Sequence, residues 1–133
     1  MPKYLLDSDV LIWCLRNKKE TIELVEKLSQ EGIPYCSAVS IIEVQVGVKA
    51  GEEEATNLLL NNLKVCKVDR NVANLTGEYI RKYKTKGIIF DFVDAIIAAT
   101  CILNDLILVT YNAKHYSIKD LRILNKEYED WCS

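Results

Sequence analysis

The chain has 133 residues, a formal net charge of −2, and 50% hydrophobic and 27% charged residues. That is the make-up of one ordinary globular domain over 1–133, and it excludes an overall positive field that recruits nucleic acid, so any such binding has to be local. No apolar run nears the roughly 18 residues of a membrane span, and the start of the chain lacks a signal-peptide pattern. Cys14, Cys36, Cys66, Cys101 and Cys132 are scattered, with no C-x-x-C pair, which argues against a disulfide framework or zinc site and for reduced thiols in a cytoplasmic protein.

Tyr4, Leu5 and Leu6 form an apolar run suited to a buried strand, and Asp7, Ser8 and Asp9 follow at once. The spacing predicts a short helix from residue 9 to about 16, with Ser8 or Asp9 as its N-cap. A cap alone does not require Asp7, which a strand ending in a carboxylate mounts at the mouth of an α/β sheet. A helix over 19–30 carries Ile22, Val25 and Leu28 on one stripe, widened by Leu24, and Gly32 closes it. Residues 33–37 read as a second strand with Pro34 near its start. Ser40 with Glu43 three residues on matches a capping box for a helix to about residue 50. A further helix over 52–63 turns Ala55, Leu58, Leu59 and Leu63 inward, and 65–68 is a third strand. The long helix over 70–86 faces the core with Val72, Leu75, Tyr79 and Tyr83. A strongly apolar helix over 92–104 and a strand over 106–110 follow, and 121–124 offers a fifth strand. Strands alternating with helices imply an α/β fold with a mainly parallel sheet of four to five strands.

Four positions carry more chemistry than folding asks for: Asp7, Glu43, Asp94 and Asn112. Phe92, Ala95, Ile96, Ala99 and Leu103 define one apolar face of the 92–104 helix, and Asp91 and Asp94 share the opposite edge. Ile97 and Ala98 are apolar too, so Asp94 points out of a helix buried nearly all round. Its bland reading, stronger for Asp91, is an acid favoured by the helix N-terminus. Glu43 has the capping box as its bland reading, yet Ile41, Ile42, Val44, Val46 and Val48 surround it with more apolar side chains than an exposed turn carries. In a parallel sheet the strand C-termini share one edge. If strands one and four are neighbours, Asp7 and Asn112 meet there, and helices starting at that edge bring in Glu43 and Asp94. Carboxylates so close raise one another's pKa unless a cation compensates, and oxygen ligands suit Mg²⁺ or Mn²⁺. Phosphoryl transfer is the chemistry that most often uses such a site.

These residues resemble the motifs of the PIN-domain ribonucleases. Leu5-Leu6-Asp7-Ser8-Asp9-Val10-Leu11-Ile12 is similar to the family's opening motif, Ser40-Ile41-Ile42-Glu43-Val44 to its second, Asp94-Ala95-Ile96-Ile97-Ala98-Ala99 to its third, and Leu108-Val109-Thr110-Tyr111-Asn112-Ala113-Lys114-His115-Tyr116 to its fourth. The match runs in order along nearly the whole chain, and within the family the compact form resembles VapC-type toxins of toxin–antitoxin pairs. The resemblance implies a three-layer α/β/α sandwich and a Mg²⁺- or Mn²⁺-dependent endoribonuclease whose hydrolysis leaves a 5′-phosphate on the downstream fragment. It implies Asp7, Glu43 and Asp94 as the metal-binding acids, Ser8 as the residue orienting Asp7 or a water, Asn112 as a further catalytic position and Thr110 in support. It also implies an antitoxin partner and a homodimer. Many relatives carry Asp in the fourth motif where this chain has Asn112, which brings no charge, so Asp9 or Asp91 is left to contribute. The Asn form also occurs among toxin-like members, so the resemblance does not imply inactivity.

The nearest rival is a haloacid-dehalogenase-like phosphatase, since Asp7-Ser8-Asp9 copies its Asp-x-Asp opening with Asp7 as nucleophile. Only 23 residues follow Thr110, however, and Asp91 and Asp94 come too early for that scheme. A response-receiver domain leaves Glu43 and Asp94 unexplained, and a degenerate PIN scaffold that binds RNA or protein is the non-enzyme alternative. For RNA contact the sequence offers Arg81, Lys82, Lys84 and Lys86, which lead into Asp91 and Asp94, and Lys114 and His115 in the fourth motif. The plainer readings are a solvated helix face and a surface histidine. Tyr83 and Tyr111 are candidate base-stacking residues, with a place in the core as the plainer role for Tyr83. Trp131 reads as the packing anchor of the acidic tail over 127–130.

Overall fold

The computed structural model describes residues 2–124; the acidic tail, Trp131 and Cys132 lie outside them. Four strands of three residues, β1 (Tyr4–Leu6), β2 (Tyr35–Ser37), β3 (Lys64–Cys66) and β4 (Ile107–Val109), form one parallel sheet in the order β3-β2-β1-β4. Leu5 and Leu108 belong to one core, Tyr4, Leu6 and Val109 to the other, the period-2 alternation of strands covered on both faces. The first core is closed by α5 (Arg70–Lys84) and α6 (Phe92–Leu103), the second by α1 (Ser8–Leu15), α2 (Lys19–Ser29), α3 (Ala38–Val46) and α4 (Glu53–Asn61). The fold is therefore the expected α/β/α sandwich. Its strand order reverses between β1 and β4, and Leu6 pairs with Val109 there.

Local chemistry explains where the elements stop. Asn17 (φ 60) and Asp105 (φ 53) adopt the left-handed conformation just past α1 and α6. Lys18 N bonds back to Trp13 O and Leu106 N to Cys101 O, the closure that satisfies orphan helix carbonyls. The second of these closures turns the chain directly into β4.

Several expectations shift. Neither Ser8 nor Asp9 caps α1; Asp7 occupies that position, and its carbonyl accepts from Val10 and Leu11. The α3 cap is Ser37, not Ser40, and the helix ends at Val46 instead of near residue 50. Residues 121–124 make no fifth strand: a single bridge joins Ile123 to Leu108. On α6 the buried residues are Ala95 and Ile97 to Cys101, while Phe92 is 70% exposed and Leu103 also faces outward. On α4 the inward residues are Thr56 and Leu60, whereas Ala55 and Leu58 are exposed. The displaced faces have a common cause. Thr56, Thr76 and Thr100 each donate to the carbonyl four residues back, which satisfies the hydroxyl and lets a polar residue hold a core position.

Cys14 is half-buried and Cys36, Cys66 and Cys101 are buried, all as free thiols; burial pushes Cys14 and Cys36 up to about 11. Among the described residues no helix is long and apolar enough to cross a membrane.

Candidate active site at the sheet edge

Because β1 and β4 are parallel neighbours, their C-terminal ends open on one edge, where ligands bind in such sheets. The ladder carries one step further: Asp7 N donates to Val109 O at 2.9 Å. This bond fixes the backbone of Asp7, whose side chain then turns into the fold and is only 6% exposed. A carboxylate so buried requires donors, and it has three. Ser8 N lies 2.8 Å from Oδ1, while the Thr110 hydroxyl and the Tyr116 hydroxyl each donate to Oδ2 at 2.8 Å.

Asp94 enters from the first turn of α6, half-buried, with Oδ1 3.3 Å from the Tyr116 hydroxyl and Oδ2 3.9 Å from His115 Nδ1. Burial raises its pKa above the usual carboxylate range, and the nearby charges of Asp7 and Asp91 add to this; Tyr116 and His115 oppose it. Asp91 caps α6 through Val93 N and Asp94 N and is exposed, which is the plainer of its two expected roles.

Glu43 reaches the site from the other side. It is not a capping-box acid, because α3 begins at Ala38 and Ser37 caps it. The Ser8 hydroxyl donates to Glu43 Oε1, and Ser8 Oγ lies 2.9 Å from the buried Ser40 Oγ. Ser40, expected as a cap, is thus part of a hydroxyl pair beneath Glu43. The apolar residues around Glu43 do not bury it: Ile42 and Val46 are 62% and 82% exposed, and Glu43 itself is exposed.

Asn112 does not reach Asp7 directly. Its amide Nδ2 donates to Asp9 Oδ2 at 3.1 Å, and its backbone N donates to Thr110 Oγ1 at 3.0 Å. Asp9 Oδ2 also accepts from Tyr111 N at 3.0 Å, so Asp9 anchors the loop after β4. Asp9 Oδ1 is buried with no hydrogen-bond partner among the described residues. Burial first, and the charge of Asp7 second, push Asp9 up to about 6.

Sequence reasoning missed Tyr116. It follows a 3-10 turn over Ala113–His115, and its ring sits in the first core while its hydroxyl meets both Asp7 and Asp94. The one available signal was its place at the end of the fourth motif, where no charge marks it. Neither candidate stacking residue is free to serve. Tyr83 is buried edge-on against Phe90, and Tyr111 has its hydroxyl on Thr21 and Lys18 over its ring.

The donor set is all oxygen, as a hard divalent cation requires. Asp7 and Asp94 are at most two hydrogen-bond lengths apart through Tyr116, and Asp94 is disfavoured as an anion, which a cation between them relieves. Among the described residues, however, no three His, Cys, Asp or Glu side chains already stand at metal-holding spacing. Glu43 is held by the hydroxyl of Ser8, whose backbone N donates to Asp7, so it stands at the same edge. The residues fit the ion by the chemistry of their donors, which are all oxygen. The phosphatase alternative needs Asp7 open to attack a phosphate and meets instead a buried, thrice hydrogen-bonded carboxylate.

Known proteins repeat this arrangement of chain. The family model for the PIN domain matches residues 4–121. Ribonuclease VapC10 of Mycobacterium tuberculosis is 30% identical over 112 residues, covering 84% of each chain. The tRNA(fMet)-specific endonuclease VapC of Salmonella typhimurium is 27% identical over 138 residues, covering 99% of this chain and all of its own. Among solved structures, a toxin–antitoxin complex from Klebsiella pneumoniae contains a chain that is 26% identical with a TM-score of 0.76, covering 90% of this chain and 95% of its own. A match that begins at β1 and runs past Tyr116, joined by relatives of this kind, makes the chain a member of the PIN-domain family, alongside VapC ribonucleases.

Proposed function

We propose that the chain is a Mg²⁺- or Mn²⁺-dependent endoribonuclease, acting in the cytoplasm as the toxin of a toxin–antitoxin pair. The observation that carries this reading is the meeting of Asp7 and Asp94 on one phenolic hydroxyl at the edge where β1 and β4 end. Family membership and the VapC relatives support it. Asp7 and Asp94, joined by Glu43, are the residues to hold the cation. When bound, the cation supplies a Lewis acid for the phosphodiester and lowers the pKa of a water. Thr110 and Ser8 hold Asp7 in place by donating to its two oxygens, and Asn112 steadies Asp9 and the loop that carries Tyr116.

Two clefts flank the acids. One of about 340 Å³ is lined by Asp91, Asp94, Lys114 and His115; the other, of about 630 Å³, by Lys82, Lys86, Lys119 and Tyr116, and Ser117 lines both. None of these four lysines is ion-paired among the described residues, although Lys82 and Lys86 lie over the Tyr83 ring, so they offer positive charge to RNA phosphates. Arg81 and Lys84, also offered by the sequence, line neither cleft. A homodimer has its apolar material in the exposed Ile42, Val46 and Leu58, and the toxin–antitoxin neighbour supports an antitoxin as protein partner.

The test is cleavage of RNA by the purified chain with Mn²⁺, with EDTA, and with Mn²⁺ restored. Cleavage should vanish with EDTA and return with the ion. Cleavage indifferent to EDTA overturns the reading.

A further inference from the structure

Tyr116 carries no charge and only closes the fourth motif, yet its hydroxyl reaches two of the candidate acids, Asp7 and Asp94. Its ring is locked in the first core, 4% exposed, beside Tyr83, Phe90 and Ile118. Its backbone is pinned on both sides, since Tyr116 N donates to Ala113 O and Tyr116 O accepts from Ile118 N. A ring held this way cannot swing out, so its hydroxyl is a fixed point. From that point Asp7 Oδ2 lies at 2.8 Å and Asp94 Oδ1 at 3.3 Å.

Counting acceptor positions shows what the fixed point does. A carboxylate offers about four lone-pair sites, two on each oxygen. Thr110 and Tyr116 fill both on Asp7 Oδ2, and Ser8 N fills one on Oδ1. One site remains, on Oδ1. A phenol has a single O–H to give, and both acids face it as acceptors, Asp7 at the shorter distance and Asp94 at the longer, so one donor serves the two carboxylates in turn. Asp7 comes from the end of β1 and Asp94 from α6, and no other hydrogen bond among the described residues joins these two acids through one group.

We propose that Tyr116 is a positioning residue: its hydroxyl sets the separation of the Asp7 and Asp94 carboxylates and leaves Asp7 Oδ1 as the oxygen available to a divalent cation. This rests on the cation reading above. Tyr116→Phe keeps the ring and deletes only the hydroxyl. Mn²⁺ binding to the RNA-free protein, read from the electron paramagnetic resonance signal of unbound Mn²⁺, is expected to weaken about tenfold or more, the scale seen when a group orienting a metal ligand is lost. Thermal melting should show a folded protein. Because Tyr116 acts on the spacing of two charges, the same change made on Asp94→Asn should cost much less than on the wild type; a general packing role predicts equal losses.

The outcomes separate cleanly. If Asp94→Asn weakens Mn²⁺ binding but Tyr116→Phe binds as tightly as the wild type or tighter, the positioning role is wrong and the cation reading stands. Equal losses in both backgrounds also overturn it. If the wild type takes up no Mn²⁺, the cation reading falls and takes this inference with it.

Discussion

Asp7 is 6% exposed with three hydrogen bonds, whereas Glu43 is exposed on α3 and has one, from Ser8. The proposed function puts the two acids in one site, and they are held by opposite means. Asp7 leans on the hydroxyls of Thr110 and Tyr116, both buried, and in a low-dielectric setting such bonds are strong and stiff. Asp94 joins it through the same tyrosine. Glu43 is aimed by a serine pair and is otherwise in water. On the proposed reading, half of the site is buried and built before any ligand arrives, and half is exposed with a single hydrogen bond, which leaves it room to adjust. A rigid half fixes geometry to the tolerance that catalysis needs; a mobile half gives a route in for substrate or for a blocking partner.

The rigid half should break hardest. Asp94→Asn is expected to lower the RNA cleavage rate about a hundredfold or more, the scale of losing one preorganised group at a reacting centre. It should not unfold the protein. Since burial and neighbouring acids disfavour the Asp94 anion, the neutral side chain should leave the melting temperature at neutral pH unchanged or higher. Cleavage at the wild-type rate would mean that the rigid half is scaffolding. The mobile half should break less. Ser8→Ala removes the donor to Glu43 and strands the buried Ser40 hydroxyl, at a stability cost of about 1–3 kcal/mol. Cleavage should fall about tenfold, because Glu43 is left unaimed but still present. If Ser8→Ala cuts RNA as the wild type does, Glu43 does not depend on Ser8 and the division into two halves is wrong.

How much of this the residues announced follows the same division. Asp7, Glu43 and Asp94 stood out as candidates because each carboxylate sits at a strand end or among apolar helix residues, although a cap or helix-terminus role also accounts for an acid there. The parallel sheet was legible from the alternation of apolar runs with helical stripes. What stayed hidden was which group holds which. Ser37 and Ser40 are both plausible caps, and only the start of α3 at Ala38 decides between them. The inward faces of α4 and α6 were misjudged because apolar spacing does not register a threonine that bonds its own helix. Tyr116 was hidden because most of a tyrosine is core-like, and only the fold decides where its hydroxyl points. Asn112, expected beside Asp7, donates to Asp9, a contact across 103 residues that spacing cannot foretell.

Asp9 sharpens the comparison last, as an acid that belongs to neither half. It sits two residues from Asp7 yet spends Oδ2 on the loop after β4, and its Oδ1 is buried without a partner among the described residues. Its pKa rises from 3.8 to about 6, chiefly through burial. Between those values the folded chain keeps a proton that the unfolded chain has released, so stability falls as pH rises through this window and the loss is complete above about 6. Asp94 contributes with the same sign. Asp9→Asn keeps an oxygen for Tyr111 N and Asn112 Nδ2 and removes the charge. Urea denaturation between pH 4.5 and 7.5 should then show a shallower fall for the variant and a stability above that of the wild type at the upper end, with cleavage little changed. A variant less stable than the wild type at pH 7.5 would show that the Asp9 charge is used, and Asp9 would have to be counted with Asp7 and Asp94 in the rigid half.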